Sequence, residues 1–278
     1  VFFLKKKPKK RQLGKKKSRI KKSNIAYLQK LSYLCSMEKQ VMAIGNITPD
    51  SFYSTSRLLN ADYIAQWAFD SLQNGASILD IGGCSTRPGS TAISTATEWE
   101  RVSYALTTLR EAVPEAQLSL DTFRPEIAKM ALEQFGPMII NDISGGEEAM
   151  WEVVRYWHIP YVWTLRGKLD LPALRPMDDI DLILDPGIGF TGGVENDYDC
   201  LRHMHILRQY NRPILVGVSR KSMLYKPLGI TAEECLPATQ VAQFYALQQG
   251  ATILRTHDVK ETMQTIALFE SLITTHYY

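Results

Sequence analysis

The sequence predicts an α/β protein, a (β/α)8 barrel, and three observations carry that reading. From Val41 onward, short apolar runs alternate with longer amphipathic ones. Several of the gaps between runs are long enough for a crossover helix and too long for a hairpin. Nearly every run also ends in a side chain that can hydrogen-bond or carry charge, at the strand end where parallel barrels keep their chemistry.

The strand candidates are VMAIG (41–45), SILDI (77–81), LSLD (118–121), MIIN (138–141), YVWT (161–164), LILD (182–185), ILVGV (214–218) and TILR (252–255). Most are continuously apolar, as strands buried on both faces must be. Helical patterns fill 60–74, 96–112, 125–134, 147–157, 196–209, 232–249 and 258–273. Asp121-Thr122 and Thr231 suit helix starts, and Gly75 and Gly250 sit where a left-handed residue ends a helix. One unit is abnormal. The segment between Thr164 and Leu182 is short and holds Pro172 and Pro176, so the fifth helix is expected to be shortened or missing. A doubly wound open sheet is the alternative that periodicity alone does not exclude.

The 278 residues are 45% hydrophobic and 22% charged, an ordinary balance for a globular protein and not for a disordered one. No apolar run reaches the ~18 residues of a membrane span. Cys35, Cys84, Cys200 and Cys235 are scattered and form no CxxC pair, which argues against a zinc site or a disulfide framework and makes a reducing cytoplasm the default. The net charge of +3 hides an asymmetry. Residues 1–36 hold 13 Lys/Arg and no acid, leaving 19 basic and 29 acidic side chains in residues 37–278, a net of −10. The basic segment is expected to be a disordered extension or a stretch that is not native, ahead of a barrel domain spanning 37–278. Neither a nucleic-acid nor a membrane partner is expected of that acidic body.

The strand ends supply Asn46, the run Gly82-Gly83-Cys84-Ser85-Thr86-Arg87-Pro88-Gly89, Asp121, Asn141-Asp142, Thr164, Arg166, Asp185, Ser219-Arg220-Lys221-Ser222, Arg255 and His257. Each alone can be a cap or turn residue, as Asp185 before Pro186-Gly187 illustrates. Together they exceed what capping requires. Asp121, Asn141 and Asp185 suit a flat heterocycle with N–H donors. Arg255, His257, Arg87 and the glycine-rich loop suit an anion such as phosphate. Asn46 suits an oxygen-preferring cation or a phosphate oxygen. Lys221 opens a helix, where the dipole disfavours a cation, so its placement suggests a ligand contact.

At these positions the chain resembles the dihydropteroate synthase family. The matching strings are GNITPDSF (45–52), LDIGGCSTRPGS (79–90), SLDTFRPEIA (119–128), IINDISGG (139–146), ILDPGIGF (183–190), VGVSRKSML (216–224) and RTHDV (255–259), in the family's order. The resemblance implies a pterin-binding TIM barrel that joins 6-hydroxymethyl-7,8-dihydropterin diphosphate to 4-aminobenzoate, releases diphosphate, uses Mg2+ and forms a homodimer. It implies that Asp121, Asn141, Asp185 and Lys221 hold the pterin. Asn46, Arg255 and His257 would meet the diphosphate and magnesium, Thr86 and Arg87 would close over the substrates, and Phe190, Lys221 and Ser222 would face the aminobenzoate. Lys221, Arg255 and His257 are the expected catalytic set, with Asn46 as metal ligand.

Several positions depart from the family. Cys84 stands where a glutamate is usual, Thr164-Leu165 replaces a His-Met pair, Thr191-Gly192-Gly193 replaces a lysine-bearing turn, and the first loop reads Tyr53-Ser54-Thr55-Ser56-Arg57. A non-catalytic pterin-binding paralogue is therefore the second reading. A pterin-dependent methyltransferase is the third, disfavoured because the STRPG and SRKS strings are both present. His203 and His205 point apart on a helix and make a poor metal pair, and Trp151, Trp157 and Trp163 are expected in the core or an interface. A chain starting at Met37 should melt at the temperature of the full chain. A loss of several degrees would mean that the basic segment packs on the barrel.

Overall fold

The computed structural model describes residues 38–46, 61–84, 93–169 and 179–273. Eight parallel strands run β1 Gln40–Asn46, β2 Ile78–Gly82, β3 Gln117–Asp121, β4 Ile139–Asp142, β5 Tyr161–Thr164, β6 Leu182–Asp185, β7 Leu215–Val216 and β8 Ile253–Thr256. Their order in the sheet is β6-β5-β4-β3-β2-β1-β8-β7, so every strand lies beside its sequence neighbour. The two outer strands meet through a parallel bridge between Leu184 and Ile214, with the Leu184 N–H donating to the Pro213 carbonyl at 2.9 Å. The sheet is a nearly closed barrel, and the doubly wound alternative falls because the strand order never reverses.

Eight helices are found among the described residues: α1 Ala61–Gln73, α2 Thr95–Ala112, α3 Pro125–Phe135, α4 Glu148–Trp157, α5 Val194–His203, α6 Ser222–Leu228, α7 Leu236–Gln249 and α8 Val259–Ile273. Local chemistry sets their ends. The Ser94 hydroxyl caps α2 by accepting from the Thr97 N–H, and Pro125 opens α3 where a missing N–H costs nothing. Thr231 and Glu234 exchange reciprocal bonds in a capping box ahead of α7. The pattern at 196–209 divides into α5 and a 3-10 turn at Met204–Tyr210. Between β5 and β6 the described residues 165–169 and 179–181 carry no helix, and the rest of the expected short segment lies outside the described residues.

Two apolar layers hold the barrel. Strand side chains alternate faces. One set, including Val41, Leu79, Leu118, Ile140 and Leu254, packs outward against the helices. The other is an internal plug of Met42, Ile78, Ile139, Val162, Ile183, Leu215 and Ile253, one residue from each strand except β3. Two residues beyond the plug, the same inward face carries Asp80, Asn141, Thr164, Asp185 and Arg255. The plug is the floor of whatever the barrel binds.

The outer layer has little slack at α1. The Trp67 indole lies against Gly45, where a Cβ would come within 2.6 Å of the ring. Gly45→Ala should lower unfolding free energy by about 1–3 kcal/mol, the usual cost of overpacking, read by urea denaturation. An unchanged midpoint would mean that Trp67 swings away freely.

Candidate functional site

The site is the inward-facing ring above the plug, and its centre is Arg255 on β8. Arg255 Nε donates to Asp80 Oδ2 at 2.6 Å, and its Nη2 donates to Asp121 Oδ2 at 2.7 Å. Asp80 lies on β2 with no solvent exposure and also accepts from Asn141 Nδ2 at 3.1 Å. Strands β2, β3, β4 and β8 are thus tied through one carboxylate–guanidinium cluster inside the barrel.

A second acid and a second cation, Asp185 and Lys221, feel each other's charge at the same end of the barrel. Asp185 ends β6, and its Oδ1 accepts from the Gly187 N–H at 2.8 Å, an Asx turn that leaves Oδ2 outside that bond. Lys221 is the N-cap of α6, and its ammonium donates to the Ile188 carbonyl. The same ammonium lies 5.1 Å from the centroid of the Phe190 ring, cation–π distance. The loop between β6 and α5 is held from behind by buried Asp197, whose Oδ1 accepts from the Gly189 N–H and the Thr191 hydroxyl, both at 2.7 Å. Gly187 has φ +81°, and a Cβ there would lie 2.5 Å from the Arg166 backbone nitrogen, so only glycine fits that turn.

Burial and charge pull these groups in opposite directions. Burial pushes the Asp121 carboxyl up to about 7, against the lowering pull of Arg255 and with Asp80 adding repulsion. Burial likewise raises Asp185, opposed by Lys221, and lowers Lys221, opposed by Asp185. Burial works against the Arg255 charge, and Asp80 with Asp121 more than reverses it, so the guanidinium is held above its ordinary value.

Of the residues singled out from sequence, the structure gathers Asp121, Asn141, Asp185, Phe190, Lys221 and Arg255 at this end of the barrel. His257 follows two residues after Arg255, with Nδ1 3.0 Å from the Ser219 hydroxyl. Ser222 is the first residue of α6, and Asn46 ends β1 in register with Gly82. Thr86 and Arg87 lie outside the described residues. Spacing predicts that Arg255 and His257 reach one anion together. In the structure Arg255 is committed to Asp80 and Asp121, while His257 lies against Ser219. Sequence reasoning passed over Asp80. The available signal was a lone acid inside the apolar run SILDI. It also passed over Asp197.

Cys84 is half-buried, and burial followed by Glu98 pushes its thiol up, which suits a small packed residue better than a reactive one. His203 and His205 cap nearby backbone carbonyls, with Nδ1 2.8 Å from the Asp199 oxygen and 3.3 Å from the Arg202 oxygen. Trp151 and Trp163 pack edge to face and donate to the Gly146 and Gly145 carbonyls, fixing the loop after β4.

A parallel barrel with acceptors and two cations inside its mouth defines a binding site for a small polar ligand rich in donors. The chain belongs to the family described as pterin binding enzyme, whose profile matches residues 42–170 and 174–257. A bifunctional dihydropteroate synthase/dihydropteroate reductase of Helicobacter pylori is 32% identical, over 84% of this chain and 68% of that protein. The dihydropteroate synthase of Escherichia coli K12 is 31% identical, over 84% of this chain and 91% of that protein. A solved dihydropteroate synthase of Xanthomonas albilineans with 4-aminobenzoic acid superposes with a TM-score of 0.75 at 27% identity, covering 86% of this chain and 94% of that one.

The raised Asp121 carboxyl gives a pH signature. The folded protein keeps this proton up to about pH 7, whereas the ordinary value is 3.8. Between those values the folded state binds the extra proton, so this group's contribution to stability falls as pH rises from about 4 to 7. The unfolding free energy of the wild type relative to Asp121→Asn should therefore drop between pH 4.5 and 7.5 in urea titrations. A difference that is flat or rises with pH would place the charge balance elsewhere.

Proposed function

We propose that the protein is a dihydropteroate synthase, a transferase of folate biosynthesis built on a (β/α)8 TIM barrel whose fifth helix is shortened or missing. It joins 6-hydroxymethyl-7,8-dihydropterin diphosphate to 4-aminobenzoate and releases diphosphate. The observation that carries the reading is the inward set of acceptors, Asp121, Asn141 and Asp185, grouped with Lys221 and Arg255 above an apolar floor. The Xanthomonas albilineans relative, solved with 4-aminobenzoic acid, supports the second substrate. The same reading makes the protein a cytoplasmic homodimer that needs neither nucleic acid nor membrane. Among the described residues no helix is long and apolar enough to cross a membrane.

A pterin presents N–H donors along its amino-pyrimidinone edge. Asp185 and Asn141 accept from that edge, and Asp121 accepts once its proton has left. Lys221 donates to a ring acceptor and sits across Phe190, against which the aminobenzoate ring packs with Ser222 beside it. Carbon–oxygen cleavage leaves positive charge on the pterin methylene and negative charge on the departing diphosphate. Arg255 and His257 lie at the strand end where that anion collects. The aminobenzoate amine is already nucleophilic and needs only to be positioned. Thr86 and Arg87 complete the cover of the substrates.

Mg2+ fits the donor set in one limited way. Asn46 offers a hard oxygen at the barrel mouth, and the described residues hold no cluster of three or more His, Cys, Asp or Glu that would make a protein cage. Asn46 is the residue that would hold such an ion, through its side-chain oxygen. When bound, it neutralises charge on the diphosphate.

Diphosphate release from the pterin diphosphate, measured with and without 4-aminobenzoate, tests the reaction. Release dependent on aminobenzoate is expected, and tight pterin binding with no release would make the chain a non-catalytic pterin binder. Asp185→Asn keeps the Asx turn but puts an amine where an acceptor is needed. A buried donor left unpaired costs about 1–3 kcal/mol, so pterin affinity should fall at least ~tenfold with the circular dichroism unchanged. Wild-type affinity would leave Asp185 as a turn former.

A further inference from the structure

We propose that Asp80 is a positioning residue that fixes which end of the Asn141 amide and which edge of the Arg255 guanidinium face the ligand. The proposal rests on the reading that Asn141 holds the donor edge of a pterin.

Asp80 is fully buried in the middle of β2. Its anchoring runs through one atom. Oδ2 accepts from Asn141 Nδ2 at 3.1 Å and from Arg255 Nε at 2.6 Å, while Oδ1 is buried with no hydrogen-bond partner among the described residues. An ionised carboxylate accepts and never donates, whereas a primary amide does both. A carboxylate at position 80 therefore forces Asn141 to turn its NH2 group inward. The Asn141 carbonyl is then left at the other end of the amide, where it can accept from a ring N–H. Without a charged acceptor behind it, the amide could present either end, and half of its orientations would meet a donor edge with a donor.

The same atom aligns Arg255. Nε is held by Asp80 and Nη2 by Asp121, so two bonds on two strands fix the plane of the guanidinium. Nη1 takes part in neither bond. Asp80 thereby selects for heterocycles that present donors at Asn141 and against those that present acceptors. That specificity comes from a residue placed behind the amide.

Exchanging the two side chains tests this. Asp80→Asn should raise the dissociation constant of 6-hydroxymethylpterin at least tenfold. The double variant Asp80→Asn/Asn141→Asp restores a donor facing a carboxylate and leaves an acceptor towards the ligand, so pterin affinity should return to within about threefold of wild type. A double variant no better than the worse single one, or an Asp80→Asn protein with unchanged pterin affinity and only a lower melting temperature, would make Asp80 a charge partner of Arg255 and nothing more. Should the variants not fold, wild type labelled with 15N-asparagine decides. One Asn141 Nδ2 proton should exchange at least a hundredfold more slowly than exposed asparagine amides, and equal rates would overturn the proposal. Wild-type protein that binds no pterin would overturn the reading of the pocket, while the amide exchange still decides the orientation of Asn141.

Discussion

The structure turns on how much negative charge one guanidinium can hold inside a barrel. Arg255 faces two carboxylates, Asp80 with no exposure and Asp121 nearly as buried. A buried charge costs several kcal/mol unless it is paired. Lys221 donates to the Ile188 carbonyl, and its charge acts on Asp185 and not on Asp121. The shortfall falls on Asp121, whose carboxyl holds its proton towards neutral pH. A ligand that brings N–H donors to these acceptors supplies what the protein leaves short. The charge arrangement thus selects the ligand's chemistry before any contact is made. It also means that truncating Arg255 removes the counter-charge of two buried carboxylates in one step.

One departure from the family strings, Thr191, is absorbed by local bonding. Thr191 stands in the turn where the family usually carries a lysine, and its hydroxyl donates to Asp197, the residue that also takes the Gly189 N–H. The loop carrying Phe190 is therefore tethered to α5 at two points in this chain. Lys221 packs against the same loop, since a Cβ on Gly189 would lie 3.0 Å from its aliphatic chain. The loop after β5 is fitted just as closely, with the Arg166 backbone against Gly187 and the Arg166 side chain donating to the Ile143 carbonyl from Nε and Nη2. A rigid back wall of this kind locates the Lys221–Asp185 pair, whatever side chains have changed around it.

All eight strands were legible in the sequence to within a residue or two at most ends, because a strand buried on both faces must be apolar throughout. Only β7 is much shorter, Leu215–Val216 against the run 214–218. The strand-end residues were legible for the complementary reason, since a polar side chain closing an apolar run needs a purpose. What escaped lacked a local signature. Helix α6 has seven residues with Pro227 inside it, too few turns for periodicity to register. Asp80 was hidden inside SILDI, and its partner Arg255 is 175 residues away. No window on the sequence joins them, and only closure of the barrel brings β8 beside β1 and within reach of β2.

That closure also explains why the polar ring lies where it does. On a strand with period two, the inward position next above a plug residue is two residues on, about 7 Å higher. Ile78 is followed inward by Asp80, Ile139 by Asn141, Val162 by Thr164, Ile183 by Asp185 and Ile253 by Arg255. Five strands therefore switch from apolar to polar at the same step above their own plug residue. β3 differs, having no plug residue and instead Ser119 and Asp121 on its inward face. Asp121 can then reach the same Arg255 nitrogen, Nη2, that lies beside Asp80. A change that slipped one strand by a residue would send its polar group out among the helices and bring an apolar one into the site. Fold and site are consequently set by one register, and the placement of Asp185 and Asn141 depends on plug packing two residues below each.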